Sequence, residues 1–334
     1  MLISYAIRDS EGNLIDGENY HMLLPPASNM KIPSTYYSYK VLGKDKILRT
    51  HFRIDGEVLQ IYGDPLFIFS KSEFEKLLSR NIDKLKFVNY HNHMISDEKY
   101  HPDWMVGDMR YCYGAPIEPF TLDENCLGGN HKGEESMESL LENEFNLSRI
   151  SSDSSENSSN NYNIITREIK LKDVISHILN ISCNFSAELL MRYAAWHDNR
   201  QRDWIGAAGN VGNFLIKLGL DPLEFEVRDG SGLSRTNLFS TFELSNLMWK
   251  IYRGDLEFVS YFPEPGKGTL LNRLEEIVDY EVHAKTGTIR YISSLTGVSL
   301  RKGITFSMIA YGKETTEERQ EVLDRLLKKI LTRN

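Results

Sequence analysis

Three short polar motifs, far apart in the sequence, constrain the fold of this chain more than any other feature. They are Ser28-x-x-Lys31, Ser182-x-Asn184 and Lys285-Thr286-Gly287-Thr288. A serine and a lysine three residues apart occur by chance in most long chains, whereas the ordered set of three motifs is far more specific. For the set to act as one site, the fold must bring these three stretches to a single cleft.

The first motif is predicted to supply a nucleophile and its base. Pro25 and Pro26 can lead into a helix but cannot continue one, so a helix is expected to start near Ser28. On that helix the Ser28 and Lys31 side chains share one face, about one turn apart. Unpaired backbone N–H groups surround a helix start, so they can hold an oxyanion when the serine attacks a carbonyl group. Lys31 can accept the hydroxyl proton only if its pKa falls well below the ordinary value of about 10.4.

Length and composition limit the classes of protein that this chain can be. Its 334 residues exceed a typical single domain, so two domains are expected, and 41% hydrophobic residues are enough for packed cores. The net charge of −8 argues against a nucleic-acid partner. The sequence has no run of 18 apolar residues, so no transmembrane segment is predicted. Met1 to Ser4 leads directly into a predicted strand without a signal peptide, so we expect either an intracellular protein or a chain whose export segment is missing.

Hydrophobic periodicity predicts a mixture of strands and helices. Pro33 is expected to kink the first helix or to limit it to one regular turn, because proline lacks the N–H that would bond to the Asn29 carbonyl. Strands from the two ends of the chain can pair in one antiparallel sheet covered by helices. The predicted elements are a hairpin of residues 2–8 and about 18–24, a helix over 70–82 capped by Ser72, strands over 291–300 and 304–311, and a final helix over 316–331.

The cysteines and two of the histidines each allow more than one interpretation. Cys112 and Cys126 lie 14 residues apart, so a local disulfide and two buried thiols are equally open. Cys183 lies inside the second motif, but no Cys/His arrangement in the sequence supports it as a nucleophile. His91 and His93 share one face of a predicted strand without a third ligand at a useful spacing, so no metal site is predicted.

Five stretches give the chain its resemblance to a known family. They are Pro26–Lys31, Ser182–Asn184, Asp229–Arg235, His283–Thr288 and Trp104–Asn125. In these stretches the chain resembles the class C penicillin-binding proteins, which are D-alanyl-D-alanine carboxypeptidases and endopeptidases. The resemblance runs from residue 2 nearly to the end of the chain. It implies an α+β fold, namely a transpeptidase/β-lactamase-like domain whose five-stranded antiparallel sheet is covered by helices on both faces.

The family fold is interrupted by inserted domains between the first two motifs. Lys31 and Ser182 are 151 residues apart, which looks shorter than in family members with two inserted domains. We therefore expect one reduced inserted domain at residues 46–168, within a catalytic domain of residues 1–45 and 169–334. Residues 151–163 include ten Ser or Asn, a composition that predicts a disordered or loosely ordered loop.

The resemblance also implies a role for each residue of the first two motifs and for Lys285. Ser28 resembles the acylated nucleophile and Lys31 resembles its general base. Ser182 would relay a proton to the leaving group, and Asn184 would bind the peptide amide of the substrate. Lys285 would bind the terminal carboxylate of the substrate and tune Ser182.

The rest of the third motif is expected to hold the substrate against the sheet. Thr286 would hydrogen-bond the substrate carboxylate, and Gly287 would leave room beside the sheet edge. The backbone N–H of Thr288 would complete the oxyanion hole with the N–H of Ser28.

Two stretches outside the three motifs are assigned less sharply. Asp108 matches an acidic residue that, in the family, faces the free amino end of the peptidoglycan side chain, and the alternative is a plain surface carboxylate. Asp229–Arg235 either contacts the substrate or forms a tight loop that its end residues only pin in place.

These residues predict a serine acyl-transferase that acts on a peptide with a C-terminal D-alanine-like residue. Water would resolve the acyl-enzyme on Ser28, and no metal or organic cofactor is expected. The partners implied are a D-Ala-terminated peptide or peptidoglycan-like stem as substrate and β-lactams as inhibitors. Carboxypeptidase activity is the expected outcome, with endopeptidase activity on cross-links as a further one.

Two other functions remain open. An esterase or a D-aminopeptidase can use the same machinery, because a fold and its catalytic groups do not fix the substrate, and the missing export signal weakens a role at the cell wall. The site could also capture a peptide without turnover. The intact set of residues argues against that reading: Ser28, Lys31, Ser182, Asn184 and Lys285.

Overall fold

A computed structural model of the protein describes residues 1–79, 84–126, 137–150 and 164–333. The strands, numbered along the chain, are β1 (Leu2–Arg8), β2 (Leu14–Glu18), β3 (Ile47–Asp55), β4 (Val58–Gly63), β5 (Phe87–Tyr90), β6 (Ser148–Arg149), β7 (Ile164–Lys170), β8 (Phe225–Glu226), β9 (Leu238–Phe239), β10 (Val282–Ile289), β11 (Ile292–Ser299) and β12 (Ile304–Tyr311). The helices are α1 (Lys31–Leu42), α2 (Lys71–Leu78), α3 (Met137–Phe145), α4 (Leu171–Ile181), α5 (Asn184–Asn199), α6 (Trp204–Lys217), α7 (Thr241–Gly254), α8 (Leu256–Val259) and α9 (Thr316–Leu331). The Ser/Asn-rich stretch 151–163 lies outside the described residues.

One antiparallel sheet joins the two ends of the chain in the order β10-β11-β12-β1-β2. Every residue of its second strand, β11, is buried, so both faces of the sheet are covered. Leu323, Leu327 and Leu331 of α9 pack on one face beside Leu295, while α7 lies on the sheet through β12 and β1. The α+β fold with a helix-covered five-stranded sheet is thus present, and β10 forms one open edge of it.

A second five-stranded sheet has the order β6-β5-β4-β3-β7 and its own apolar core. β3 pairs antiparallel with β4 and β7, whereas β5 pairs parallel with β4 and β6. Phe52, Phe69 and Phe74 lie in this core, which is separate from the cluster around α1 and α5. The sheet falls within the predicted insert 46–168 except for the last two residues of β7. The domain boundaries themselves stay a prediction.

Two predicted elements differ from the structure in their ends. The second strand of the hairpin is β2, because Asn19 adopts a left-handed backbone (φ 52°) and ends pairing before residues 20–24. The helix predicted over 70–82 begins after Ser70 instead of Ser72 and ends at Leu78, and residues 80–82 lie outside the described residues. Ser70 and Glu73 form a reciprocal capping box, which explains the earlier start.

Helix α1 is not kinked by its proline, contrary to the prediction. Pro33 is the third residue of α1, where the backbone N–H would have no partner inside the helix. A 3-10 turn over Ala27–Met30 precedes α1 and carries Ser28. The proline therefore lies where it costs no hydrogen bond, and the helix continues for 12 residues.

Cys112 and Cys126 form a disulfide, with their Cα atoms 5.3 Å apart. The bond closes the segment that includes Tyr113 and Glu124, two residues that contact the motif around Ser182. None of the helices in the described part of the chain has the length and apolarity needed to span a bilayer.

Candidate active site

Ser28 lies at a tightly packed turn just before α1. Ala27 has a left-handed backbone (φ 50°), an uncommon conformation for a residue with a side chain. Gly232 lies against this turn so closely that a Cβ atom on it would be 1.8 Å from the Ala27 carbonyl oxygen. Gly232 also has φ +85°, so only glycine fits there. This contact packs the loop that includes Gly232 against the turn that carries Ser28.

Lys31 is completely buried and its Nζ has three oxygen neighbours. They are Ser28 Oγ at 3.0 Å, Asn184 Oδ1 at 2.5 Å and the Ser231 carbonyl at 2.6 Å. The amide and carbonyl oxygens can only accept hydrogen bonds. A neutral amine would spend both of its hydrogens on them, which leaves its lone pair facing the Ser28 hydroxyl. The geometry is therefore that of a base poised to take the serine proton.

The electrostatic setting favours this neutral form. Burial lowers the pKa of Lys31 to about 8, although the negative charges of Asp229 and Glu188 oppose the shift. Glu188 is itself fully buried, and burial together with the charge of Asp229 raises its pKa to about 7. A substantial neutral fraction of Lys31 thus exists at mildly alkaline pH.

Ser182 and Lys285 form a second hydroxyl–amine pair. Lys285 Nζ lies 3.0 Å from Ser182 Oγ and donates to the Thr286 carbonyl at 2.8 Å. Burial and the charge of Lys31 hold the pKa of Lys285 well below its ordinary value. Ser182 follows α4 as its left-handed cap (φ 62°), so the chain turns sharply between this serine and α5.

Asn184 connects the first pair to the inserted segment, which is the disulfide-closed part of the predicted insert, residues 112–126. Its Oδ1 accepts from Lys31, and its Nδ2 donates to the Tyr113 carbonyl at 2.8 Å. The amide orientation is therefore fixed from both ends. The structure therefore brings residues of the first two motifs together, as a single site requires.

The Lys285–Thr288 motif lies on the edge strand β10, beside Ser28. A Cβ atom on Gly287 would lie 2.9 Å from both the Ser28 nitrogen and the Pro26 carbonyl oxygen, and 2.2 Å from Ser294 Oγ. Thr286 is buried in the strand, whereas Thr288 is exposed. The absence of a side chain at residue 287 lets β10 approach the backbone of Ser28.

A cavity of about 700 Å³ opens over these groups. The residues of interest on its wall are Ser28, Ser182, Asn184, Thr288, Asp108 and Arg235. Asp108 accepts from Tyr113 Oη at 3.2 Å and pairs with Arg235 Nη2 at 3.4 Å. Its side chain is 15% exposed, so it is a partly buried carboxylate of the cavity wall and already holds a cation.

Hydrogen bonds to buried side chains hold the Asp229–Arg235 loop in place, and Arg235 at its end lines the cavity. Buried Asp229 accepts from the Gly232 and Ser234 N–H groups and from Trp104 Nε1. Glu188 accepts from the N–H groups of residues 230 and 231, which aims the Ser231 carbonyl at Lys31. The loop thus both contacts Lys31 and supplies part of the cavity wall, so the two interpretations of this stretch are compatible.

Cys183 does have histidine and carboxylate neighbours, which sequence spacing did not indicate. Cys183, His177 and Glu124 offer ligand atoms that all lie within 4.8 Å of one another. Burial and the charge of Glu124 raise the pKa of the Cys183 thiol well above its ordinary value, which opposes a role as nucleophile. His91, one of the two histidines on the predicted strand, bonds through Nε2 to Gln60 Oε1 at 2.9 Å.

Some residues of the site were not found from the sequence. Tyr111 and Tyr113 stack with ring centroids 5.2 Å apart and line the cavity, as does Arg290. Glu188, which braces the loop beside Lys31, lies within a helix and carries no motif. Only the exposed aromatic character of the segment around Tyr113 could have suggested a recognition surface.

Comparisons with known proteins identify the family of the chain. The model of the D-Ala-D-Ala carboxypeptidase 3 (S13) family matches residues 6–166 and 164–330. A D-alanyl-D-alanine carboxypeptidase from Actinomadura sp. (strain R39) is 28% identical over 137 residues, which are 38% of this chain and 26% of that protein. The matched segments span about a quarter of the length of the curated relatives.

Solved structures show the same fold at low sequence identity. Penicillin binding protein 4 from Haemophilus influenzae aligns with a TM-score of 0.80 at 16% identity, covering 100% of this chain and 97% of that one. A predatory peptidoglycan endopeptidase from Bdellovibrio bacteriovorus aligns with a TM-score of 0.68 at 15% identity, covering 99% and 92%. The predicted fold is confirmed by these likenesses, and the predicted family is confirmed by the family model. The chain belongs to the D-Ala-D-Ala carboxypeptidase 3 (S13) family.

Proposed function

We propose that this protein is a serine-type D-Ala-D-Ala carboxypeptidase that works through an acyl-enzyme on Ser28, with endopeptidase activity on cross-links as a second outcome. One observation carries the proposal. Ser28 Oγ lies 3.0 Å from a buried amine whose other two neighbours only accept hydrogen bonds. That is the arrangement of an activated nucleophile, and family membership supports the substrate class.

Acylation begins with transfer of the Ser28 proton to neutral Lys31. The oxygen attacks the carbonyl carbon of the bond before the terminal D-alanine, and the negative charge moves to the carbonyl oxygen. The N–H groups of Ser28 and Thr288 stabilise that oxyanion. As the tetrahedral intermediate collapses, Ser182 gives a proton to the departing amine and is reprotonated from Lys285.

The same groups then release the acyl chain. First, the proton held by Lys31 passes to Lys285, which restores the neutral base. Water then gives a proton to Lys31 and attacks the ester carbon, and that proton passes to the Ser28 oxygen as the ester bond breaks and the shortened peptide leaves. The steps need proton donors and acceptors that the chain itself provides.

Substrate binding divides between the edge strand and the cavity wall. Lys285 and Thr286 bind the terminal carboxylate, whose charge favours the protonated form of the lysine that burial disfavours. Asn184 binds the amide of the stem, and Asp108 faces a free amino group at its far end. Because Asp108 is paired with Arg235, the amine has to replace or join that cation.

A labelled penicillin tests the proposal, because its strained amide acylates the same serine. The fluorescent compound is mixed with the protein, and the intact mass is measured before and after. We expect one adduct, located on Ser28 by peptide mapping. Ser28→Ala should remove the adduct. Ser38→Ala, which alters another buried serine on α1, should keep it.

Hydrolysis assays separate the remaining functions. Release of D-alanine from a D-Ala-D-Ala peptide supports the carboxypeptidase. Turnover of simple esters or D-aminoacyl amides without release of D-alanine identifies an esterase or aminopeptidase instead. Absence of both adduct and hydrolysis would overturn the proposal in favour of a peptide-binding protein.

A further inference from the structure

A cluster of three side chains outside the acyl-transfer machinery has the composition of a metal site. Within residues 1–79, 84–126, 137–150 and 164–333, the group Glu124, His177 and Cys183 is the one that offers three ligand atoms within 4.8 Å of one another. The three come from separate parts of the fold. Glu124 lies on the inserted segment, His177 on α4, and Cys183 at the start of α5. We propose that these residues bind a zinc ion that clamps the inserted segment to the Ser182–Asn184 turn.

The donor atoms decide which metal fits. A thiolate, an imidazole nitrogen and one carboxylate oxygen form a soft, mixed set that suits zinc, whereas magnesium and calcium require oxygen ligands. Three protein ligands leave a fourth tetrahedral position for water. On binding, the thiol releases one proton and the metal takes its place.

The distance between the His177 and Glu124 ligand atoms needs only a small adjustment. His177 Nε2 and Glu124 Oε1 are 2.8 Å apart and hydrogen-bonded. Zinc bonds of about 2.0–2.3 Å at tetrahedral angles put ligand atoms about 3.3–3.6 Å apart. The pair therefore has to separate by roughly half an ångström to admit the ion.

An entry path and a positioning framework are present as well. The side chains of His177 and Glu124 are 21% and 19% exposed, so an ion can reach them from solvent. The Cys112–Cys126 disulfide anchors the segment that includes Glu124, and Ser186 Oγ donates to the same carboxylate at 2.6 Å. The ligands are thus held near each other before the metal arrives, which reduces the entropy lost on binding.

The clamp lies next to the proposed active site without being part of it. Cys183 lies between Ser182 and Asn184 in the chain, and Asn184 Nδ2 donates to the Tyr113 carbonyl of the same disulfide-closed segment. Zinc would add a second tie between that segment and the motif. We expect bound zinc to stiffen this wall of the cavity.

Metal binding tests the site independently of peptide hydrolysis. The oxidised full chain is titrated with zinc in thiol-free buffer by calorimetry, and with cobalt(II) by absorption spectroscopy. We expect one equivalent of each metal, an increase in melting temperature with zinc, and a thiolate-to-cobalt charge-transfer band. His177→Ala and Glu124→Gln should each weaken zinc binding at least tenfold, and Cys183→Ser should abolish the band.

His91→Ala is the matched control, because His91 is another partly buried histidine whose Nε2 bonds to a side-chain oxygen. It should leave zinc affinity within about twofold of the unaltered protein. Three results would each overturn the proposal. They are a cobalt spectrum of the unaltered protein without the thiolate band, zinc binding that is undiminished in both His177→Ala and Glu124→Gln, and loss of zinc binding in His91→Ala. The unaltered protein's spectrum remains decisive if a variant does not fold.

Discussion

The pKa of Lys31 makes the pH dependence of acylation a quantitative test of the mechanism. Burial lowers this pKa to about 8. The lysine gains a proton as the pH falls below that value, so its basic form, and with it the acylation rate, declines toward acid. About 1% of the lysine is neutral at pH 6 and about half at pH 8, so the rate constant should rise roughly 50-fold over this interval. Near pH 9 the rise should level off, because about 90% of Lys31 is then neutral.

The assay measures the second-order rate constant for acylation by a fluorescent penicillin in stopped flow, from pH 6 to pH 9. Circular dichroism over the same range establishes that the protein stays folded. Lys31→Met should acylate at least a thousandfold more slowly and lose the rise with pH, because the residual reaction has no base. A flat profile in the unaltered protein, or a midpoint near the ordinary lysine value, would refute Lys31 as a neutral base.

Three further predictions follow from packing and charge around the site. Gly287→Ala should slow acylation at least tenfold, because its Cβ atom would lie 2.9 Å from the Ser28 nitrogen. The control is Gly209→Ala, because Gly209 is exposed on α6 with open space around it. This control should keep the acylation rate and add about 0.5–1 kcal/mol to the unfolding free energy. Trp104→Phe should lower the unfolding free energy by about 1.5–3 kcal/mol in urea titrations, because it removes the N–H donor to buried Asp229; no measurable loss would mean that the bond is not made. Asp108→Asn should reduce hydrolysis of a stem peptide with a free amino group about tenfold while leaving penicillin acylation within about twofold, and an equal loss for both would exclude amine recognition.

The sequence was sufficient to predict the family, the fold class and the polar groups of the three motifs. Ser28, Lys31 and Asn184 are recognisable because their chemistry fixes both residue type and spacing. The residues that hold them cannot be recognised in this way. Glu188 braces the loop through backbone N–H groups some 40 residues away in the chain, and such partners follow only from the tertiary fold.

The predicted starts of two helices were wrong because local interactions, which hydrophobic periodicity does not report, decide where a helix begins. Ser72 fits a cap as well as Ser70 does, and the reciprocal bond from Glu73 decides between them. Pro33 was expected to disrupt α1 because the helix start was placed near Ser28. The intervening 3-10 turn moves the first α-helical residue to Lys31, so the proline falls in the first turn. One misplaced helix start accounts for that error.

Strand β10 pairs with β11 on one side. On its other side the Ala284 N–H is bonded to the Pro263 carbonyl, whereas Thr288 and Ile289 border the cavity, and this free end of the edge affects which polypeptides can react. An open strand edge accepts a partner only when the incoming main chain is extended and has its own N–H and C=O groups free. A peptide end already folded into a helix or paired in another sheet cannot meet that condition, whatever its sequence. The fold would therefore select loose chain ends by their conformation before any side chain is read.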